Sequence, residues 1–188
     1  AVAQDKKMST QDRLKELARV KKEFDEQKKK EWEAYLVRVE ESKIAKKQKK
    51  QADSIEKSKL GDNIKKDVTD FPKCDNQESP YYIRKNPTTG FEEKIAFTDY
   101  IRKHIYNKFR YPEFAMDHEL QGRVLVHFII DKEGNPQIKE ANGPKNGLIL
   151  EEEAIRIIKL LPTAIPANCD GKPINVMFAI PITFQMQE

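Results

Sequence analysis

Ile174-Asn175-Val176-Met177-Phe178-Ala179-Ile180-Pro181-Ile182-Thr183-Phe184-Gln185-Met186 is the stretch whose reading decides the fold. Every even position in it is apolar, and the odd positions are mixed and mostly small or polar. Strict alternation over this length predicts a strand with one face buried and the other partly wet. A helix would scatter the same side chains around its circumference. Pro181 adds a constraint, because it has no N–H to give to a neighbouring strand. Such a strand lies at a sheet edge or carries a bulge, and its open backbone is either covered or offered to another extended segment.

Working outward, Arg123 to Ile130 repeats the pattern, with Val124, Val126, Phe128 and Ile130 on one face. Asp131-Lys132-Glu133-Gly134 predicts a hairpin turn with glycine in the left-handed position, and Gln137 to Ala141 returns as the partner strand. Two helical stripes flank these strands. Thr98 or Asp99 is placed to cap a helix carrying Tyr100, Ile101, Ile105 and Phe109, with Phe97 as a staple before the cap, and Tyr111-Pro112 ends it. Leu150, Ala154, Ile157, Ile158 and Leu161 form the second stripe, with Glu151, Glu152 and Glu153 in the first turn, where the helix dipole favours negative charge. Tyr81 to Lys85 and Phe91 to Phe97 read as a small hairpin, and Glu113 to Leu120 as a short helical turn. The economical way to bury these stripes is an α+β domain: two helices packed on a three-stranded antiparallel sheet, spanning 67–188 with an insertion at 74–96.

The N-terminal third is different. Residues 1–66 carry 20 Lys and Arg against 13 Asp and Glu, whereas the remainder carries 15 against 18. No glycine or proline interrupts Gln4 to Leu60, so a long charged helix capped by Ser9 or Thr10 is expected. Leu14, Leu17, Val20 and Phe24 recur at three- and four-residue steps, and Tyr35, Leu36 and Val39 resume the stripe beside Trp32. Lys21, Lys28 and Glu31 occupy places where a coiled-coil heptad wants apolar residues. The segment is read as a solvated helix that packs along Leu14 to Val39 or pairs with a second copy. Its lysines are interleaved with acids and lack aromatic partners, which argues against nucleic acid. No apolar run approaches the length of a membrane span.

Catalysis has little support. His104, His118 and His127 fall on a helix, a turn and a strand face and read as surface residues, and the serines outside the patterned region form no nucleophile constellation. There is no glycine-rich phosphate loop and no zinc-like cysteine spacing, so neither cofactor nor metal is expected. The first residues, Ala1-Val2-Ala3-Gln4, have the small-x-small character that ends a secretory signal. In an oxidising compartment Cys74 and Cys169 are candidates for one disulfide; the alternative is two buried thiols.

Taken in order, Tyr111-Pro112, Gly122, the alternating Val124, Val126 and Phe128 with Asp131 and Gly134, Glu151-Glu152-Glu153-Ala154, Gly171-Lys172-Pro173-Ile174 and Pro181-Ile182-Thr183-Phe184 resemble the TonB C-terminal domain family. The resemblance runs from Phe71 to Gln187 and leaves out the N-terminal helix. It implies a periplasmic domain that accepts an extended N-terminal segment, the TonB box, of an outer-membrane TonB-dependent transporter as an added strand beside its last strand. By position, Ile174, Asn175, Val176, Met177, Phe178, Ala179 and Ile180 are then the docking edge, and Lys108, Arg110 and Tyr111 lie near the transporter. The usual membrane anchor and proline-rich spacer of the family have no counterpart in residues 1–66. A loop holding Cys74 stapled to the Cys169 turn would be an adaptation of this chain. The second function kept open is an assembly protein that self-associates through the N-terminal helix and the sheet edge.

Overall fold

The computed structural model describes residues 10–59, 76–85, 88 and 90–186. Ser9, Phe71, Cys74 and the expected boundary between Lys66 and Asp67 lie outside them. The chain divides into two compact units at Lys46/Lys47.

Helix α1 runs unbroken over Thr10–Lys59. With no proline or glycine in this stretch, each residue can close its backbone bond four residues back. The charged surface adds local support: Arg19 pairs with Glu23 at 3.0 Å, Lys22 with Glu26 at 3.9 Å and Lys43 with Glu40 at 3.2 Å. Such exposed pairs each contribute about 0.2–0.5 kcal/mol. Trp32 and Tyr35 meet with ring centroids 5.5 Å apart. Leu14, Leu17, Val20 and Phe24 are exposed.

In the C-terminal unit the described strands and helices follow in the order β1 (Gln77–Glu78), β2 (Tyr81–Lys85), β3 (Glu92–Ala96), α2 (Phe97–Lys108), α3 (Glu113–Asp117), β4 (Gly122–Ile130), β5 (Pro136–Asn142), α4 (Leu148–Lys159), β6 (Ala167–Cys169), β7 (Lys172–Ile174) and β8 (Val176–Phe184). This is a mixed helix-and-sheet unit, and all its strand pairings are antiparallel among the described residues. The principal sheet has the order β5-β4-β8. β4 and β8 pair along their whole length, from Gly122 opposite Phe184 to Ile130 opposite Val176. Inward residues meet inward residues across that register: Val124 faces Ile182, Val126 faces Ile180 and Phe128 faces Phe178. On the other side, β4 and β5 shift register between His127 and Phe128, a bulge that the alternation of β4 does not announce.

One apolar cluster joins Phe97 and Ile101 of α2, Leu150, Ala154, Ile157 and Ile158 of α4, the inward face of β4, and Ile182 and Phe184 of β8. Aromatic rings tie β8 into it. Phe97 lies 4.4 Å from Phe178, Phe109 lies 5.1 Å from Phe184, and Tyr111 meets Phe184 edge-on at 5.8 Å. Burying such a side chain stabilises the fold by roughly 1.5–3 kcal/mol relative to leaving it in water.

The segment before α2 is more than a loop. β2 and β3 form the expected hairpin, with Tyr82 opposite Ile95. Two backbone bonds stitch its start to the chain after α4: Tyr81 N–H donates to the Ile165 carbonyl at 3.1 Å, and Ile165 N–H donates to the Tyr81 carbonyl at 2.8 Å. Tyr82 is buried, its hydroxyl donates to the Pro162 carbonyl at 3.1 Å, and its ring stacks on Tyr100 at 3.9 Å. Burial and the neighbouring Tyr100 push the Tyr82 hydroxyl pKa far up. β1 joins β6 and β7 in a second small sheet.

Three expectations are corrected. α2 begins at Phe97, with Ala96 in the cap position and no side-chain cap bond, so Thr98 and Asp99 lie inside its first turn. Phe97 is wholly buried in the core instead of stapling from outside. His104, expected on the surface, is 7% exposed, and its Nε2 donates to the Ile157 carbonyl at 2.9 Å. A ring N–H satisfied by a carbonyl is what makes such burial tolerable.

Candidate functional site

The C-terminal strand is shorter than its alternation suggests. Ile174 ends β7, where it is buried opposite Ala167 in the small β1-β6-β7 sheet, and Asn175 separates it from β8. The turn Asp170-Gly171, with φ of 49° and 83°, folds β6 back on β7. The stretch Ile174 to Ile180 therefore crosses two sheets, and only Val176 to Ile180 lies on β8. Past that point the strand continues through Pro181, which sits opposite Leu125, to Phe184. Pro181 thus does not end the strand.

β8 is at the edge of its sheet: β4 covers one side, and no described strand pairs with the other. Val176, Phe178 and Ile180 are half-buried beneath it, while Met177, Ala179, Pro181 and Thr183 point outward and are exposed. The edge is therefore anchored by its even side chains and presents a nine-residue backbone. In an antiparallel strand, consecutive residues turn their N–H and C=O to opposite neighbours. A proline is accommodated where its nitrogen faces away from the ladder. By that logic Met177, Ala179 and Thr183, of the same parity as Pro181, direct their backbone groups to the open side.

Lys108, Arg110 and Tyr111 are held by α4. Arg156 Nη2 donates to the Lys108 carbonyl at 2.7 Å, and the Arg110 N–H donates to Glu153 Oε1 at 3.1 Å. Arg156 and Glu153 also pair with each other, Nη2 to Oε1 at 2.6 Å and Nε to Oε2 at 2.7 Å. The hydrogen bond to Glu153 raises the Arg156 pKa further above its ordinary value. This clamp fixes the backbone at 108–110 and leaves the side chains of Lys108 and Arg110 exposed. Tyr111 is committed to the fold, with its ring against Phe184 and its hydroxyl donating to the Leu120 carbonyl at 2.7 Å. Burial pushes its hydroxyl pKa up.

Sequence reasoning assigned the acidic start of α4 to the helix dipole alone and missed the clamp. Glu151 Oε1 accepts from the Gly143 N–H at 2.8 Å, so two of the three glutamates tie loops to the helix. The spacing of Glu153 and Arg156, one turn apart, was the available signal.

The three histidines lie on α2, just after α3 and on β4, and are not brought together. Among the described residues no cluster of His, Cys, Asp or Glu could hold a metal ion, and no helix is long and apolar enough to cross a membrane. Cys169 is not a free thiol. It lies opposite Gln77 in the β1–β6 pair, and the Asp170 N–H donates to the Asn76 carbonyl at 3.3 Å. That register brings the chain to within three residues of Cys74.

Residues 107–186 match the family model described as the Gram-negative bacterial TonB protein C-terminal. This region belongs to the TonB C-terminal domain family. The TonB C-terminal family is a transport-related, non-catalytic one whose domains are periplasmic in Gram-negative bacteria and interact with outer-membrane transporters. Two solution structures of the Helicobacter pylori TonB C-terminal domain are similar at 27% identity, each over 49% of this chain. One is covered to 82% with a TM-score of 0.36, the other to 96% with a TM-score of 0.32. No curated protein matches the chain.

Proposed function

We propose that the C-terminal domain is a periplasmic binding module that docks an extended, TonB-box-like segment of an outer-membrane transporter as an added strand along β8, and so supports TonB-dependent transport. The observation that carries this reading is the edge itself: β8 is fully paired to β4 on one side and open among the described strands on the other. Family membership of 107–186 supplies the class of partner. In this reading α2 and α4 over the β5-β4-β8 sheet are the scaffold. The docking residues are Val176 to Ile180 together with Thr183, and Lys108 and Arg110 contribute charge. Main-chain bonds give affinity, and the outward Met177 and Ala179 give selectivity. A Cys74–Cys169 disulfide holds the segment before β1 beside the β6–β7 turn.

Titrating the full chain with a synthetic peptide from the N-terminal segment of such a transporter, while following backbone amide signals, tests this. Shifts concentrated at 176–180 are expected. Ala179→Pro, which removes an outward donor, weakens binding about tenfold or more with little loss of stability. Equal loss of stability and binding, or shifts elsewhere, overturns the reading. For the disulfide, two titratable thiols on the denatured, unreduced protein would remove it.

A second reading, self-association through α1, is favoured by one observation. Leu14, Leu17, Val20 and Phe24 are 53–66% exposed at three- and four-residue steps. Sedimentation over a concentration series decides it: a constant monomer mass excludes it.

A further inference from the structure

Between the β2–β3 hairpin and α2 lies a groove of about 450 Å³. It is lined along α2 from Asp99 to Lys108, mostly by residues before the family match, and shares only Lys108 with the proposed docking residues. Its α2 wall is the stripe Tyr100, Lys103, His104, Asn107 and Lys108, spaced as one helix face. Its hairpin wall is Arg84 with Ile95. The volume is in the range that holds a small ligand or a few residues of peptide.

The walls are rigid. Tyr82 stacks on Tyr100 at 3.9 Å, and His104 is anchored by its bond to the Ile157 carbonyl. The charge is mostly positive: Arg84, Lys103 and Lys108 face one lining acid, Asp99, with Glu93 3.6 Å from Arg84. Neither Lys103 nor Lys108 has an ion-pair partner among the described residues. Ile95 and the Tyr100 ring add apolar surface between the cations, and the Asn107 amide adds a donor and an acceptor.

We infer that this groove binds an extended acidic peptide segment with carboxylates at alternate positions. The spacing selects a chain over a single small anion. Lys103 and Lys108 are five residues apart, about 7.5 Å along a helix axis. Carboxylates two residues apart on an extended chain point the same way and lie about 6.7 Å apart. The side chain between them turns away, and an apolar neighbour can rest on Ile95 and Tyr100.

The test uses the full chain, titrated by calorimetry and amide shifts with a capped peptide carrying glutamate at alternate positions. Its glutamine counterpart and inorganic polyphosphate serve as controls. Binding of the acidic peptide is expected with shifts at 84, 95 and 99–108, weakening as salt is raised. The glutamine peptide should bind about tenfold more weakly, and Lys103→Glu should cost the acidic peptide a similar factor. Because Lys103 is exposed, an unchanged melting midpoint shows that this variant is folded. Arg84→Gln provides a milder second variant with the same direction. Equal affinity for the glutamine peptide, no effect of Lys103→Glu, or polyphosphate binding as tight as the peptide overturns the inference; so does failure of the acidic peptide to bind. Ala179→Pro should leave this binding unchanged, which separates it from docking at β8.

Discussion

Helix α1 and strand β4 both carry a regular apolar pattern, yet the two are used in opposite ways. Leu14, Leu17, Val20 and Phe24 stay more than half exposed, whereas Val124, Val126, Phe128 and Ile130 are 0% exposed. In β4 the apolar positions are continuous on one face and meet equally continuous partners on β8. In α1 they are interrupted by Lys21, Lys28 and Glu31, so a neighbouring surface would have to desolvate charge to cover them. Pattern alone therefore does not bury a side chain; an uninterrupted partner face does. Around Leu14 to Phe24, α1 is held by backbone bonds and weak surface pairs, with burial confined to Tyr35 and Val39 farther along, and the sheet is held by burial. Substitutions in the two regions should differ by roughly an order of magnitude in their effect on stability.

The largest effect is expected at Phe184, which is 1% exposed and touches both Phe109 and Tyr111. Phe184→Ala removes these contacts at the end of β8, where the chain cannot collapse into the space without unpairing from Gly122. A loss of about 3–5 kcal/mol is expected in urea unfolding. A loss below about 1 kcal/mol would mean that the core does not depend on the edge strand.

Next comes Gly134. Its φ is +86°, and a Cβ there would lie 1.9 Å from the Ala164 carbonyl oxygen, which belongs to the rigid backbone after α4. The same glycine accepts from the Ala164 N–H at 2.9 Å, so the turn and the post-α4 chain are locked together. Gly134→Ala should cost about 3 kcal/mol, combining left-handed strain with the displaced contact. Thermal unfolding of the full chain reads it.

Much of this architecture is visible in the residues themselves. The alternation of β4 and β8, the Asp131-to-Gly134 turn and the stripes of α2 and α4 each follow from spacing, because burial imposes its period on the sequence. Other features leave no such trace. β1, β6 and β7 are two or three residues long, too short for a period of two to be read, and they exist through tertiary pairing. His104 looks like a surface residue because its partner, the Ile157 carbonyl, is 53 positions away. The edge position of β8 was foreshadowed by Pro181. Its true start was not, since Ile174 continues the same alternation while belonging to another sheet. The groove beside α2 depends on how the hairpin folds over Tyr100, a long-range event that no local pattern encodes.

A third, smaller effect lies at Asp131. Its Oδ1 accepts the N–H of Asn135 at 2.8 Å and of Glu133 at 3.1 Å, and Oδ2 accepts from Gln137 Nε2 at 3.1 Å. Burial pushes its pKa up, but these hydrogen bonds outweigh it and hold the carboxyl below its ordinary range. A depressed folded-state pKa contributes stability that is present above the unfolded value, about 3.9, and is lost as pH falls through the folded one. Asp131→Ala should therefore cost about 1–2 kcal/mol at pH 7. Its deficit against the wild type should shrink below about pH 4 in denaturant curves taken across that range. A deficit independent of pH would show that Asp131 supports the turn without depending on its charge.

The smallest effect is expected in α1, and it is the one that most directly probes the contrast between the regions. Leu17 is 66% exposed, so Leu17→Gln removes little buried surface and replaces one good helix former with another. The change in helicity by circular dichroism, and in unfolding free energy, should stay within about 0.5 kcal/mol. That result would place this part of the helix in the class held by local forces, with Leu14 to Phe24 free of any tight partner. A loss of 2 kcal/mol or more, roughly the worth of a buried leucine, would show the opposite. The stripe would then be covered in solution, and the dependence of that loss on protein concentration would identify the cover. A loss that shrinks on dilution implicates a second copy of the chain, because only an associating species links stability to concentration. A concentration-independent loss implicates the chain's own residues.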